Sequence, residues 1–208
     1  MSFDRRGKNF KKGRTHMLKK IKSRLAVISL AAIVLTLLTQ STLAYYTTIG
    51  KATNVITSGN LQLTIHEMTD QGTEFPDEGV YVIPGDVVSK VVTVENTCDH
   101  PFYLRVKLVY GINSAELPYE DCFKLDINSE HWTYKDGWYY YNHILQPSEE
   151  SEQVFSHVEI VGSKVDTSYI GKTLSITVKA QAVQSENNPP AQDDDFTTVS
   201  GWPAETGG

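Results

Sequence analysis

Strict period-2 alternation constrains this chain more than anything else in it. Phe102, Leu104, Val106, Leu108 and Tyr110 alternate with Tyr103, Arg105, Lys107 and Val109. Near the end Leu174, Ile176, Val178, Ala180 and Ala182 alternate with Thr173, Ser175, Thr177, Lys179 and Gln181. Leu61, Leu63 and Ile65 repeat the pattern, and Val87 to Glu95 is rich in β-branched residues. Successive strand side chains point to opposite faces, so each segment predicts a strand with one face on a core and one in water. Long helical periods are absent, and helix is expected only in short pieces around Ser114 to Tyr119 and Val165 to Ile170.

Breakers separate the strands at Pro84-Gly85-Asp86, Asn96 to Pro101 and Gln146-Pro147-Ser148. Asp136-Gly137, set between Trp132 to Lys135 and Trp138 to Tyr141, is a hairpin signal because both residues tolerate positive φ. Many short strands with regular turns predict a mainly β fold, a two-sheet antiparallel sandwich of jelly-roll or Greek-key type with short helical insertions. The aromatic stripe Trp132 to Tyr141 has two readings. Exposed, it would suit an aromatic-faced adhesin or glycan binder; cross-strand aromatic pairing inside a sheet is the simpler one.

The N-terminal region follows another logic. From Met17 a basic stretch (Lys19, Lys20, Lys22, Arg24) leads into the uncharged, mostly apolar run Leu25 to Leu38, followed by Thr42-Leu43-Ala44. Small residues at −3 and −1 mark a signal-peptidase site, so residues 1–44 are expected to be a cleaved signal peptide and the exported form to begin at Tyr45. The apolar run is interrupted at Thr39-Gln40-Ser41-Thr42, too early for a membrane span of roughly 20 residues. Contact with membrane is expected only through the uncleaved signal. Residues 1–16 read as an extended basic n-region, or translation begins at Met17.

Removal of that region transforms the charge. Ten of the 19 Lys and Arg lie in residues 1–24, whereas Asp4 is the only one of 25 acids before Ala44. Residues 45–208 thus carry nine basic and twenty-four acidic side chains, a net charge of about −15 against −6 for the whole chain. Such a surface repels nucleic acid and anionic lipid. Residues 45–184 hold the strand pattern. Residues 185–208, with Pro189-Pro190 and Asp193-Asp194-Asp195, read as a flexible acidic tail that Phe196, Val199 and Trp202 could pin to the body. The Asp run is more simply a solvated charge cluster than a calcium site. Export to an oxidising compartment permits Cys98 and Cys122 to pair, and a bridge is expected; the alternative is two separate buried thiols.

Motifs for catalysis are scarce. His66-Glu67 is followed by Asp70 where a zinc-peptidase helix needs its second histidine, and the pair lies on an expected strand. No cysteine pair has zinc-finger spacing, and neither a phosphate loop nor a nucleophile elbow occurs. No cofactor, catalytic residue or metal ligand is assigned.

Several blocks in fixed order carry a resemblance. They are S-T-L-A-Y-Y-T-T (Ser41 to Thr48), A-T-N-V-I-T-S-G-N-L-Q-L-T-I (Ala52 to Ile65), V-I-P-G-D-V-V-S-K-V-V-T-V-E-N-T (Val82 to Thr97) and P-F-Y-L-R-V-K (Pro101 to Lys107). D-G-W-Y-Y-Y (Asp136 to Tyr141), I-L-Q-P-S-E (Ile144 to Glu149) and I-T-V-K-A-Q-A-V-Q (Ile176 to Gln184) follow. Together they resemble the TasA/camelysin family of exported Gram-positive proteins. Ser148 departs from the pattern, standing where the family often has Gly, and so does Cys98, where Gly is common after Asn-Thr.

The resemblance implies a jelly roll, processing by a SipW-type signal peptidase and a role as a secreted fibre subunit of biofilm matrix at the cell surface. Partners would be copies of itself or related matrix subunits. A camelysin-like cell-surface metalloendopeptidase is the alternative in the family, but no residue here matches a metal-protease motif, so an enzyme is not expected. Tyr45, Tyr46, Thr47, Thr48 and Ile49, freed by cleavage after Ala44, form an uncharged β-prone segment suited to act as a donor strand on a neighbour. The competing reading makes them the first strand of their own domain.

Overall fold

The alternating segments do become strands, and they stack as two sheets over one core in a computed structural model that describes residues 47–57 and 61–204. The described residues belong to one compact unit, Tyr45–Gly208. Strands β1 (Thr47–Thr57), β3 (Val80–Val82), β5 (Phe102–Ile112), β7 (Trp132–Lys135), β8 (Trp138–Tyr141) and β10 (Thr173–Gln184) build the larger sheet, in the order β3-β1-β10-β5-β8-β7. Strands β2 (Leu63–Met68), β4 (Val87–Asn96), β6 (Phe123–Leu125) and β9 (Phe155–Ile160) build the smaller one, in the order β2-β4-β9-β6.

Register explains why the core forms. β5 and β10 run antiparallel and place Leu104 opposite Ala182, Val106 opposite Ala180 and Leu108 opposite Val178. All the inward residues of one strand thus share a face with those of the other. Across the gap the small sheet contributes Leu63, Val92, Val94, Phe155, Val158 and Ile160, all in the same buried cluster as Ile49, Leu174 and Ile176 of the large sheet. Burying one such aliphatic side chain is worth about 1.5–3 kcal/mol, which makes this shared interior the main source of stability.

One pairing departs from the antiparallel expectation. β1 lies parallel to β10 over ten residues, from Thr48 against Thr173 to Thr57 against Ala182. A parallel pair cannot be joined by a tight turn; here the two strands come from opposite ends of the domain, so the body itself is the connection. Among the described residues the helical pieces are three 3-10 turns, Glu120–Cys122, Thr167–Tyr169 and Phe196–Thr198. The second falls inside Val165 to Ile170 and is capped by the Asp166 carboxylate, which accepts from the Ser168 N–H at 2.8 Å. The first lies just beyond Ser114 to Tyr119.

Turn chemistry behaves as its residue types require. Asp136 (φ 49) and Gly137 (φ 85) close the β7–β8 hairpin. Ser148 has φ 63, the left-handed conformation that glycine adopts without steric cost. A residue with a Cβ is strained in this conformation, where glycine would be relaxed.

The acidic C-terminal segment folds back as far as it is described. Val199 is buried with Tyr103 and Val183 in a second, smaller cluster, against which Ile144, Phe196 and Trp202 pack. This cluster lies on the face of β5 and β10 opposite the main core. Asp195 of the acidic run caps the last 3-10 turn by accepting from the Thr197 N–H at 3.0 Å.

Candidate functional site

β1 carries the segment expected to act as donor strand. Thr48 and Ile49 pair with β10 on one side, and Thr47, Thr48 and Ile49 pair with Val80–Val82 on the other, within their own domain. Tyr45 and Tyr46 lie outside the described residues, as do Thr42, Ala44 and the whole expected signal peptide. Ile49 is fully buried in the main core, and the Thr47 hydroxyl donates to the Tyr169 carbonyl at 3.1 Å. β3 is only three residues long. Among the described residues the outer edge of β1 therefore has no strand partner beyond Ile49. Chemically this is a terminal strand held mostly by backbone pairing to one neighbour, the kind of element a second chain can replace.

The two cysteines do not pair; both are free thiols. Cys98 sits just past the Asn96 end of β4, its Sγ donating to Asn96 Oδ1 at 3.1 Å. Cys122 lies at the other end, where its carbonyl accepts from the Val161 N–H and the Ile160 N–H donates to the Asp86 carbonyl. Ten residues of strand at about 3.3 Å each separate the two ends, against a Cα separation of at most about 7 Å in a disulfide. Burial pushes the Cys122 thiol pKa up, which makes it an inert core residue.

The tryptophans of the aromatic stripe are internal, while Tyr134 at its turn is exposed. Trp132 and Trp138 are 2% and 5% exposed, so neither offers a face to a sugar. Trp132 packs on Tyr141 inside the main core, with ring centroids 4.9 Å apart. On the opposite face Trp138 stacks on the Arg105 guanidinium at 4.2 Å, and Trp202 of the C-terminal segment covers that group from 4.5 Å. Arg105 also donates to Gln181 Oε1 at 2.6 Å and to the Tyr140 hydroxyl at 3.0 Å. The adhesin reading required exposed tryptophans, and this packing removes its basis.

Among the described residues four of the histidines fall into three settings, while His100 is exposed in the turn after β4. His66 Nε2 contacts Glu95 Oε2 at 2.9 Å, beside a cleft of about 370 Å³ lined by Met68, Ser148 and Glu150. Its sequence neighbour Glu67 points the other way, into the core, and meets the Lys90 ammonium at 3.2 Å with both side chains fully buried. Alternation divides the two as a strand must. Among the described residues no three His, Cys, Asp or Glu side chains are placed so that they could hold a metal ion together. His157 forms the second setting with Ser156 and Asp126. Asp126 Oδ2 lies 2.6 Å from Ser156 Oγ and 3.0 Å from His157 Nδ1, and Ser156 Oγ lies 2.9 Å from the same ring nitrogen. A nucleophilic triad needs serine and carboxylate on opposite ring nitrogens. The convergence on Nδ1 makes this a tie between β9 and the chain following β6. The third setting is the ring pair His131 and His143, at the base of the β7–β8 hairpin.

Sequence reasoning missed the Lys90–Glu67 pair, although period 2 from Leu61, Leu63 and Ile65 puts Glu67 on the core face. It also missed the partners of Arg105, for which no local signal exists. No protein-family model, curated protein or solved structure matches the chain.

Proposed function

We propose that this chain is an exported structural subunit of extracellular matrix fibres, a jelly-roll-type sandwich that joins head to tail by donor-strand addition, with copies of itself or related subunits as partners. The observation that carries the reading is the pairing of β1. It is the first strand of the exported form, it lies parallel to β10 over ten residues, and beyond Ile49 it has no other strand partner among the described residues. A neighbour's β1 offers β10 the same hydrogen bonds and the same side-chain alternation, so exchange costs little at equilibrium. A head-to-tail exchange of this kind does not close on itself and propagates as a filament. Signal removal after Ala44 would free the segment and act as the trigger.

Electron microscopy of the purified exported form tests the proposal, with two variants. Deletion of Tyr45 to Ile49 is expected to leave a folded monomer that no longer polymerises. Because Ile49 is a core residue, a second variant keeps the segment and locks it. Ala52→Cys with Thr177→Cys joins register partners on β1 and β10. The oxidised protein should stay monomeric and the reduced protein should form fibres. Fibres from the oxidised form as readily as from the reduced one would sink donor-strand exchange.

A further inference from the structure

We propose that His131 and His143 form a binding site for one divalent transition-metal ion, Cu²⁺ before Zn²⁺ or Ni²⁺. The two residues flank the β7–β8 hairpin, and its base fixes their backbones. The Asn142 N–H donates to the His131 carbonyl at 2.9 Å, Asn142 Nδ2 donates to the Glu130 carbonyl at 3.3 Å, and the Thr133 hydroxyl donates to Asn142 Oδ1 at 2.8 Å. The imidazoles stand beside each other with centroids 5.7 Å apart and planes tilted by 48°. His143 is further held by the edge of Tyr141, at 5.5 Å and 74°, and Tyr141 is wedged against Trp132.

That spacing suits a shared ion. A metal–nitrogen bond of about 2.1 Å places the ion about 3.2 Å from a ring centroid, so two imidazoles on one ion have centroids about 5.2 Å apart at a tetrahedral angle and about 6.4 Å apart when collinear. The observed 5.7 Å falls between these limits. A second observation is independent of the first: His131 Nδ1 is buried and has no hydrogen-bond partner. A buried polar atom without a partner is costly, and in the Nε2–H tautomer it presents a lone pair.

The other paired histidines differ. His66 Nε2 and His157 Nδ1 each meet a carboxylate, Glu95 and Asp126. His143 is exposed and presents its ring to water at the edge of the pair. Imidazole nitrogen suits copper, zinc and nickel, and the general affinity order places Cu²⁺ first. With two protein ligands, water fills the remaining positions. Such a site binds a metal without the third ligand and general base of a peptidase centre.

Titration of the purified protein with Cu²⁺ alone, read by calorimetry and by the nitrogen couplings of the bound ion in electron paramagnetic resonance, tests the site. One ion coupled to two imidazoles is expected. His143→Ala, at an exposed position, and His131→Gln should each lower affinity by about 10-fold or more and leave one coupled imidazole, while His66→Ala leaves binding unchanged. No saturable uptake by the parent protein, undiminished affinity in either site variant, or an equal loss in His66→Ala overturns the proposal.

Discussion

Lys90 and Arg105 are two cations set against aromatic rings, one in the interior of the sandwich and one on the outer face of the large sheet, and the fold accommodates them differently. Lys90 is fully buried in the sandwich, 4.5 Å above the Phe75 ring, with the Glu67 carboxylate at 3.2 Å. Arg105 is half-buried on the far face of the large sheet, between Trp138 and Trp202, bonded to the neutral oxygens of Gln181 and Tyr140. A compact ammonium taken out of water needs a counter-charge. A guanidinium is broad, weakly hydrated and flat, so aromatic faces and neutral acceptors suffice while one side stays near water. The first arrangement couples β2 to β4 inside the core. The second fastens the C-terminal segment to the outside of the body.

The largest test of this contrast is Glu67→Ala, which leaves the Lys90 charge without its carboxylate. It should cost about 3–5 kcal/mol in urea unfolding. The double change Glu67→Leu with Lys90→Met should recover most of that loss, because it removes both charges and keeps apolar volume. A double variant as unstable as the single one would show that the Glu67–Lys90 contact itself, and not the imbalance of charge in the interior, matters.

Trp202→Ala addresses the other cation. Losing one face of the Arg105 stack should cost about 1 kcal/mol. Amide exchange should then speed up in residues 185–204 and leave β5 and β10 protected. Uniform acceleration through both sheets would mean that the outer cluster belongs to the main cooperative unit, and the comparison would collapse.

The smallest effect concerns an exposed charge with neither kind of burial. Burial alone would raise the Asp126 pKa, but hydrogen bonds from the side chains and backbone N–H groups of Ser156 and His157 outweigh it and hold the carboxyl at about 2. The folded value lies below the usual one near 4, so this tie is fully present above about pH 4 and is lost as pH falls through about 2. Because the group is exposed to water, its contribution should stay below about 1 kcal/mol. Asp126→Asn should flatten that part of the stability-against-pH curve, and an unchanged curve would show that the tie is already solvent-screened.

What could be read in advance follows from how local the physics is. The alternation in Phe102 to Tyr110 and Leu174 to Ala182 identified the inward faces of β5 and β10, because side-chain direction in a strand depends only on residue parity. Asp136-Gly137 located its hairpin, because positive φ is a property of the dipeptide. Cys98 and Cys122 were misjudged for the opposite reason: pairing depends on where two ends of β4 lie in space. The tryptophans were left open, since parity says which face a residue takes and not what covers that face.

By itself, then, the chain determined its longer alternating strands, the β7–β8 hairpin and the inward residues of β5 and β10, all of which rest on periodicity and residue-level conformational preference, whereas β3, β6 and β9 carry no such signal. Only the tertiary structure decided that β1 runs parallel to β10, that the C-terminal segment closes over Arg105, that Glu67 meets Lys90 in the interior and that His131 stands beside His143. Each of these joins residues far apart in the chain or across an irregular hairpin base. Their free energy comes from contacts that do not exist until the sheets have packed, and local sequence carries no record of them.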